Sequence, residues 1–316
     1  MFTIKQPSTI IFGKYSARDY KIPKDSLVIT SRGAKSRNWL EYIGLTDSYI
    51  YDNVESNPSK ETTEQIISEF SDSNFSNVVG IGGGSVLDVA KFVAYKMKKI
   101  KIMVPTTFGS GSEVTRIAVL KVNGKKQGFH DDNIFADIAI VDPYFIHDTP
   151  EVIIKNSAID ACAQCTEGYD SKTSNSYTKF LCQKAFDILE NAILNEKYEN
   201  LAYGSLCAGL GFGNTSTTLG HALSYVFSNE GISHGHALAF TTTVAHRFNG
   251  SVFYNRYKNL VRKLNFEEIN LKQNLENAAN LILLDRKHLD NNPKEISKSE
   301  IIKLLGIICA GKSFID

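Results

Sequence analysis

Three consecutive glycines open the stretch best suited to chemistry, Gly82-Gly83-Gly84-Ser85-Val86-Leu87-Asp88-Val89-Ala90-Lys91. The apolar pair Val78-Val79 leads into it through Gly80-Ile81, and Val86, Val89, Ala90 and Val93 then recur at helical spacing. That pattern predicts a strand, a tight glycine turn and a helix. Glycine lets a ligand approach the backbone closely, and the first amides of a new helix are unpaired donors carrying partial positive charge, so the corner suits a pyrophosphate. A ligand-free strand-to-helix turn is the plainer reading, but one turn seldom needs three adjacent glycines. A second loop, Pro105-Thr106-Thr107-Phe108-Gly109-Ser110-Gly111-Ser112-Glu113, comes after another apolar run.

The second half holds residues of a different chemistry. Asp160 and Gln164 stand four apart in a helical pattern, which places two oxygen-bearing side chains on one face. Farther on, His221 opens His221-Ala222-Leu223-Ser224-Tyr225, and His234-Gly235-His236 comes after the turn at Gly231. Two imidazoles and a carboxylate make a ligand set for divalent iron or zinc that keeps a position free for an alcohol or aldehyde oxygen. Spacing alone does not separate such a set from buried structural histidines, and His236 competes with His234 as ligand. His130, His147, His246 and His288 are expected at the surface. Cys162 and Cys165 form a CxxC with no second pair near and helical flanks, so neither a redox nor a zinc pair is expected.

These groups need elements to position them. In the first half short apolar runs alternate with amphipathic ones, predicting strands at 9–12, 26–30, 48–51, 77–81 and 102–105 with helices such as 62–70 and 86–98 between them. Such alternation argues for a parallel sheet covered on both faces, with ligands at the carboxyl ends of the strands, where both loops emerge. From about Pro150 long helical patterns succeed one another (151–169, 176–196, 199–212, 236–247), so the second half is expected to be all helix. Pro143 and Pro150 interrupt the periodicity, giving an α/β dinucleotide-binding domain over 1–146 and a helical metal-binding domain over 147–316. A chain of 316 residues suits two domains with a cleft between them. A formal net charge of +1 with scattered basic residues lacks the stripe that nucleic acid demands, so the expected partner is a small molecule. Five irregularly spaced cysteines with no apolar signal segment ahead of them favour a reducing cytoplasm. No apolar run approaches the roughly 20 residues of a membrane helix, so no membrane partner is expected.

Taken together the chain resembles the iron-containing (group III) alcohol dehydrogenases. The resemblance rests on Gly82-Gly83-Gly84-Ser85 with Asp88 and Lys91, on Pro105-Thr106-Thr107 through Gly111-Ser112-Glu113, and on Ala139-Ile140-Val141-Asp142-Pro143. It continues through Ile159-Asp160-Ala161 and through His221-Ala222-Leu223 with His234-Gly235. It implies a Rossmann-like parallel-sheet domain followed by an all-α domain, the dehydroquinate synthase-like architecture, with a metal in the cleft beside a nicotinamide. It also implies that Gly82, Gly83, Gly84, Ser85 and Asp88 neighbour the dinucleotide, with Thr106, Thr107 and Ser112 on the second loop and Lys126 on the cofactor side. Asp160, His221 and His234 fall on three of the family's four metal-ligand positions.

The fourth position departs, because Gln164 stands where histidine is usual and an amide oxygen is a poorer ligand for borderline metals. With Thr217-Thr218, His221 to Tyr225 and His234 to Ala237, this resembles the branch that includes phosphonoacetaldehyde reductases. Tyr225 replaces a histidine that passes protons outward in many relatives. Ser31-Arg32 replaces the acid that NAD-preferring relatives place after that strand, which admits a 2′-phosphate and favours NADP(H) over NAD(H). The chain is also shorter than most of the family, which leaves the substrate less fixed than the fold. The expected function is reversible hydride transfer between NAD(P)H and a small aldehyde held at the metal, phosphonoacetaldehyde being the leading candidate. In that scheme Asp160, His221 and His234 hold the metal, Gln164 is a weak fourth ligand or orients the others, and Tyr225 or solvent returns the proton. A homodimer is the expected assembly. The alternatives are a degenerate nucleotide-binding member without catalysis and a dehydroquinate-synthase-type lyase. The lyase would need lysines and arginines that Thr215 to Ser233 lacks.

Overall fold

The computed structural model describes residues 1–315. Two compact units make up the chain, Met1–Pro150 and the part from Glu151 onward. The first contains β1 (Thr9–Phe12), α1 (Ser16–Asp19), β2 (Ser26–Ile29), α2 (Arg32–Ser36), α3 (Trp39–Ile43), β3 (Tyr49–Tyr51) and α4 (Lys60–Glu69). It continues with β4 (Asn77–Gly82), α5 (Gly84–Met97), β5 (Ile100–Pro105), β6 (Ile117–Val122), β7 (Lys125–His130) and β8 (Ile138–Val141).

Six of these strands form a parallel sheet in the order β1-β8-β5-β4-β2-β3. β2 and β4 are buried along their whole lengths. A strand covered on both faces reads as an unbroken apolar run instead of an alternating one, which is why Leu27-Val28-Ile29 and Val78-Val79 stand out in the sequence. Leu27, Ile29, Val78 and Met103 of the sheet close one apolar cluster with Ile66 of α4 and Leu87, Ala90 and Val93 of α5. Strand register sets where the loops emerge. Gly82 of β4 pairs with Pro105 of β5, and Ile29 of β2 pairs with Gly80. The glycine turn, the second loop and the Thr30-Ser31-Arg32 segment therefore all leave the same edge of the sheet, at the carboxyl ends of its strands.

The antiparallel β6–β7 hairpin is absent from the sequence-based expectation. Its turn, Asn123-Gly124, has φ of 51° and 76°, and Asn-Gly is the pair that a two-residue hairpin with both φ positive prefers. Sparse apolar residues in Lys125-Lys126-Gln127-Gly128 hide the second strand from a search for hydrophobic alternation.

The second unit comprises α6 (Glu151–Asp170), α7 (Ser176–Leu194), α8 (Leu201–Phe212), α9 (Leu219–Asn229), α10 (His234–Asn249), α11 (Tyr254–Leu264), α12 (Leu275–Leu283), α13 (Arg286–Asn291) and α14 (Lys298–Cys309). Among the described residues it carries no β-strand, as expected. Ala158, Ile159, Ala161, Cys162, Ala163, Gln164, Cys165, Thr166 and Glu167 are all buried, so α6 is the inner helix, against which α7, α8 and α10 pack. Cys162 and Cys165 are free thiols inside this packing, and burial pushes both well above the usual thiol range. Among the described residues no helix is long and apolar enough to cross a membrane.

Candidate metal centre and cofactor cradle

Along α6 the residues Asp160, Gln164 and Glu167 repeat at four and three, one stripe of the helix. Asp160 Oδ1 accepts a 3.0 Å hydrogen bond from Gln164 Nε2. His221 is the third residue of α9 and His234 the first of α10. The Nε2 atoms of both histidines lie 3.9 Å from Asp160 Oδ1, and one ligand atom from each of the three residues lies within 4.8 Å of the others. Donors about 2.1 Å from a shared tetrahedral ion are roughly 3.4 Å apart, so the three groups stand slightly wider than a closed site would hold them. One carboxylate with two imidazoles is a donor set for a divalent ion of borderline softness.

Behind these three side chains lies a carboxylate that the motifs do not single out. Glu167, buried, faces His221 Nδ1 and accepts from Gly220 N (2.5 Å), Thr218 Oγ1 (2.9 Å) and Thr218 N (3.4 Å). Burial alone would raise its pKa, but His221, then His246 and Thr218, hold it down at about 2. An ionised carboxylate only accepts, so His221 carries a proton on Nδ1, and Nε2 is the ring atom left to face Asp160. Gly220 is required here, because a Cβ would stand 2.6 Å from Glu167 Oε1 and from Thr242 Oγ1. The start of α10 is aimed in the same way. Asn156 Oδ1 accepts from Ser233 Oγ (2.6 Å) and His236 N (2.8 Å), while any Cβ at Gly235 would collide with the Asn156 carbonyl. His234 is thus carried to α6 one turn beyond Asn156.

In the first unit, α5 begins at Gly84 with Gly83 as its N-cap, and no side chain caps it. The Gly83 carbonyl accepts from Val86 N (2.9 Å) and Leu87 N (3.1 Å), which leaves the Gly84 and Ser85 amides at the open end of the helix. The second loop packs directly on this turn. A Cβ on Gly83 would meet Thr107 Oγ1 at 3.0 Å, and one on Gly84 would meet Ser110 Oγ at 2.7 Å. Asp88 accepts from Ser112 Oγ (2.6 Å) and Val119 N (3.0 Å), so its carboxylate laces loop and hairpin to α5. Lys91, wholly buried, donates to the carbonyls of Ser112 (2.7 Å), Thr115 (3.2 Å) and Ile117. Burial raises the neighbouring Glu113 carboxyl to about 7. Thr106 is buried and Thr107 partly so, while Lys126 lies on β7 opposite Lys121. Ser31, Arg32, Asn53, Glu55 and Thr62 border a groove of about 450 Å³ beside the same sheet edge.

The remaining histidines sort themselves by packing. His130 and His147 are exposed, as expected. His246 and His288 correct the expectation of surface placement, being 1% and 7% exposed. His246 Nε2 meets Thr166 Oγ1 at 2.8 Å, and burial lowers its pKa to about 4. His288 Nδ1 lies 2.8 and 2.7 Å from the two oxygens of Asp285, and its ring adjoins His221 and Tyr225. His236 donates from Nε2 to the Glu267 carbonyl at 2.6 Å and stacks on Phe266, so it does not join the Asp160 cluster. Burial, then the charges of Asp285, Asp160 and Glu167, push the Tyr225 phenol above its usual range and keep it neutral.

Comparison with known proteins bears on both halves. The family model of the iron-containing alcohol dehydrogenases matches residues 7–143, and that of the Fe-containing alcohol dehydrogenase family, C-terminal, matches residues 154–283. The chain is 34% identical over 209 residues to the 4-hydroxybutyrate dehydrogenase of Clostridium kluyveri, covering 57% of this chain and 56% of that one. It spans about half the length of the curated relatives it matches. Among solved structures, an iron-containing alcohol dehydrogenase from Thermococcus thioreducens superposes with a TM-score of 0.88 at 22% identity, covering 98% of this chain and 100% of that one. A sulfoacetaldehyde reductase from Bifidobacterium kashiwanohense, in complex with NAD+, gives 0.86 at 23%, covering 98% and 99%. Those two likenesses speak for the fold alone. The two family models, matched one after the other along most of the sequence, speak for descent: the chain belongs to the iron-containing alcohol dehydrogenase family.

Proposed function

We propose that this protein reduces small aldehydes to alcohols with NAD(P)H, reversibly, at a divalent metal held by Asp160, His221 and His234. The balanced reaction is aldehyde, NAD(P)H and a proton giving alcohol and NAD(P)+. The observation that carries the reading is the convergence of Asp160 Oδ1 with the two Nε2 atoms, with the Glu167 carboxylate behind His221. When bound, a divalent ion would supply Lewis-acid polarisation of a carbonyl, and a reduced nicotinamide the hydride. The residues do the positioning. Asp160 offsets positive charge, Glu167 keeps the His221 proton on Nδ1, and Gln164 orients Asp160 through its amide. Tyr225, neutral, holds a proton on Oη that it can return to the product. The Gly84 and Ser85 amides at the head of α5 bind the pyrophosphate, with Thr107 and Ser110 packed against the turn.

Arg32 borders the groove where the adenosine ribose would lie and can pair with a 2′-phosphate, which favours NADPH. For the substrate, the 4-hydroxybutyrate acted on by one similar protein is a short chain with an anionic group at the far end. Phosphonoacetaldehyde has the same character, so we assign short aldehydes with a terminal anion. The test is anaerobic purification, reconstitution with Fe2+ or Zn2+, and a panel of phosphonoacetaldehyde, sulfoacetaldehyde, succinic semialdehyde and propanal with each reduced cofactor. NADPH oxidation that requires metal and is fastest with the anionic members is expected. Absence of turnover with every member and both cofactors would overturn the reading.

A further inference from the structure

Each imidazole of the Asp160 cluster has a second, nearly parallel ring packed beside it. His288 stacks on His221 with centroids 6.2 Å apart and planes 16° apart, and Tyr225 stacks on His234 at 6.1 Å and 9°. The two covering rings meet each other at 5.6 Å and 64°, and the two imidazoles meet at 5.4 Å and 69°. The four rings therefore close a circuit, His221 to His234 to Tyr225 to His288 and back.

The covering ring of His288 is itself fixed from outside. Its Nδ1 donates to Asp285 at 2.8 and 2.7 Å, and the ring is nearly wholly buried. The segment that carries it is tied to the approach to α9. Asn291 Nδ2 donates to the carbonyls of Thr215 (2.8 Å) and Thr217 (3.1 Å), and Asn292 Oδ1 accepts from Leu219 N at 3.4 Å. Tyr225 sits one turn after His221 on the same helix, so α9 supplies one imidazole of the cluster and the cover of the other.

Such covers have a purpose because the second side-chain torsion of histidine is broad and not confined to staggered wells, so neighbours decide the plane of the ring. Glu167 holds His221 by one edge only, at Nδ1. A ring held at one edge can still tip about that contact and carry Nε2 off line. Flat neighbours packed alongside at aromatic-pair separation restrict that freedom. The need is greater in a site whose fourth position carries Gln164, whose amide oxygen is a poorer ligand for a borderline metal than an imidazole.

Resting on the reading that Asp160, His221 and His234 hold a divalent cation, we propose that His288 and Tyr225 are positioning residues. Their ring faces clamp the two ligating imidazoles and so set the affinity of the site for metal. What matters in this role is a flat ring, not a particular polar atom.

The experiment uses the whole purified chain and measures Co2+ and Zn2+ affinity by chelator competition, with the visible absorption of bound Co2+ as a second readout. His288→Ala and Tyr225→Ala are expected to weaken affinity about tenfold each, the lower end of what supporting residues around metal sites contribute, and to alter the Co2+ spectrum. His288→Phe and Tyr225→Phe, which keep a ring, are expected to stay within about twofold of the parent chain. Alanine variants that bind like the parent would overturn the proposal, and so would phenylalanine variants that fail as the alanine variants do while remaining folded. A parent chain that takes up no Co2+ would overturn the metal reading itself, which is a distinguishable result.

Discussion

Replacing Glu167 by glutamine keeps the shape of the side chain and removes its charge, which isolates the role of the carboxylate behind His221. The native carboxylate accepts from His221 Nδ1, Gly220 N, Thr218 N and Thr218 Oγ1. A glutamine offers one acceptor oxygen and one donor NH2. If the oxygen stays with Gly220 and Thr218, the NH2 confronts the Nδ1 proton of His221. The imidazole must then shift its proton to Nε2, where it blocks coordination, or rotate away. If the amide turns instead, two buried backbone or hydroxyl donors lose their acceptor. Loss of a partner of this kind weakens metal binding by about 10- to 100-fold, or about 1.4 to 2.8 kcal/mol. Chelator-competition titration of Zn2+ into Glu167→Gln and the parent chain measures it, with circular dichroism to confirm that both are folded. A folded variant whose affinity matches the parent within twofold would refute the argument that Glu167 sets the His221 tautomer.

The first unit yields two more expected outcomes. Glu113 is wholly buried and raised to about 7 from 4.5, so the folded chain holds a proton there that the unfolded chain releases near 4.5. Its contribution to stability is intact below about pH 4.5 and is lost as pH rises through about 7, by about 3 kcal/mol in all. Urea unfolding of the parent and Glu113→Gln at pH 5 and pH 8 should show the parent losing that much more than the variant between the two, and an equal change in both would contradict it. Gly84→Val places bulk where even a Cβ lies 2.7 Å from Ser110 Oγ. NADPH affinity, measured by fluorescence, should fall at least tenfold while metal content stays that of the parent, and unaltered NADPH binding would remove the cradle assignment.

Some of this architecture is legible in the residues and some is not, for physical reasons. The central strands declare themselves because both faces are covered, and the glycine turn because its neighbours leave no room for side chains. The hairpin escapes a search for apolar alternation, although Asn123-Gly124 is a usable turn signal. Glu167 is within reach too, since it continues the helical stripe of Asp160 and Gln164. His288 is not. It joins His221 only through the fold of a later segment, held by Asp285, Asn291 and Asn292, and neither spacing nor composition carries that information. His246 is misplaced for a similar reason, because the Arg247 beside it suggests surface while α10 turns the imidazole towards Thr166.

We propose above all that Asp160, His221 and His234 together hold one divalent ion on which turnover depends. Metal analysis of the parent chain and His234→Ala, both purified anaerobically and reconstituted with Fe2+, tests it most directly when paired with NADPH-dependent aldehyde reduction. One ion per chain and metal-dependent turnover in the parent, with both lost in the variant, is the predicted result. Equal metal content in the two proteins, or full turnover by metal-free parent, would contradict it.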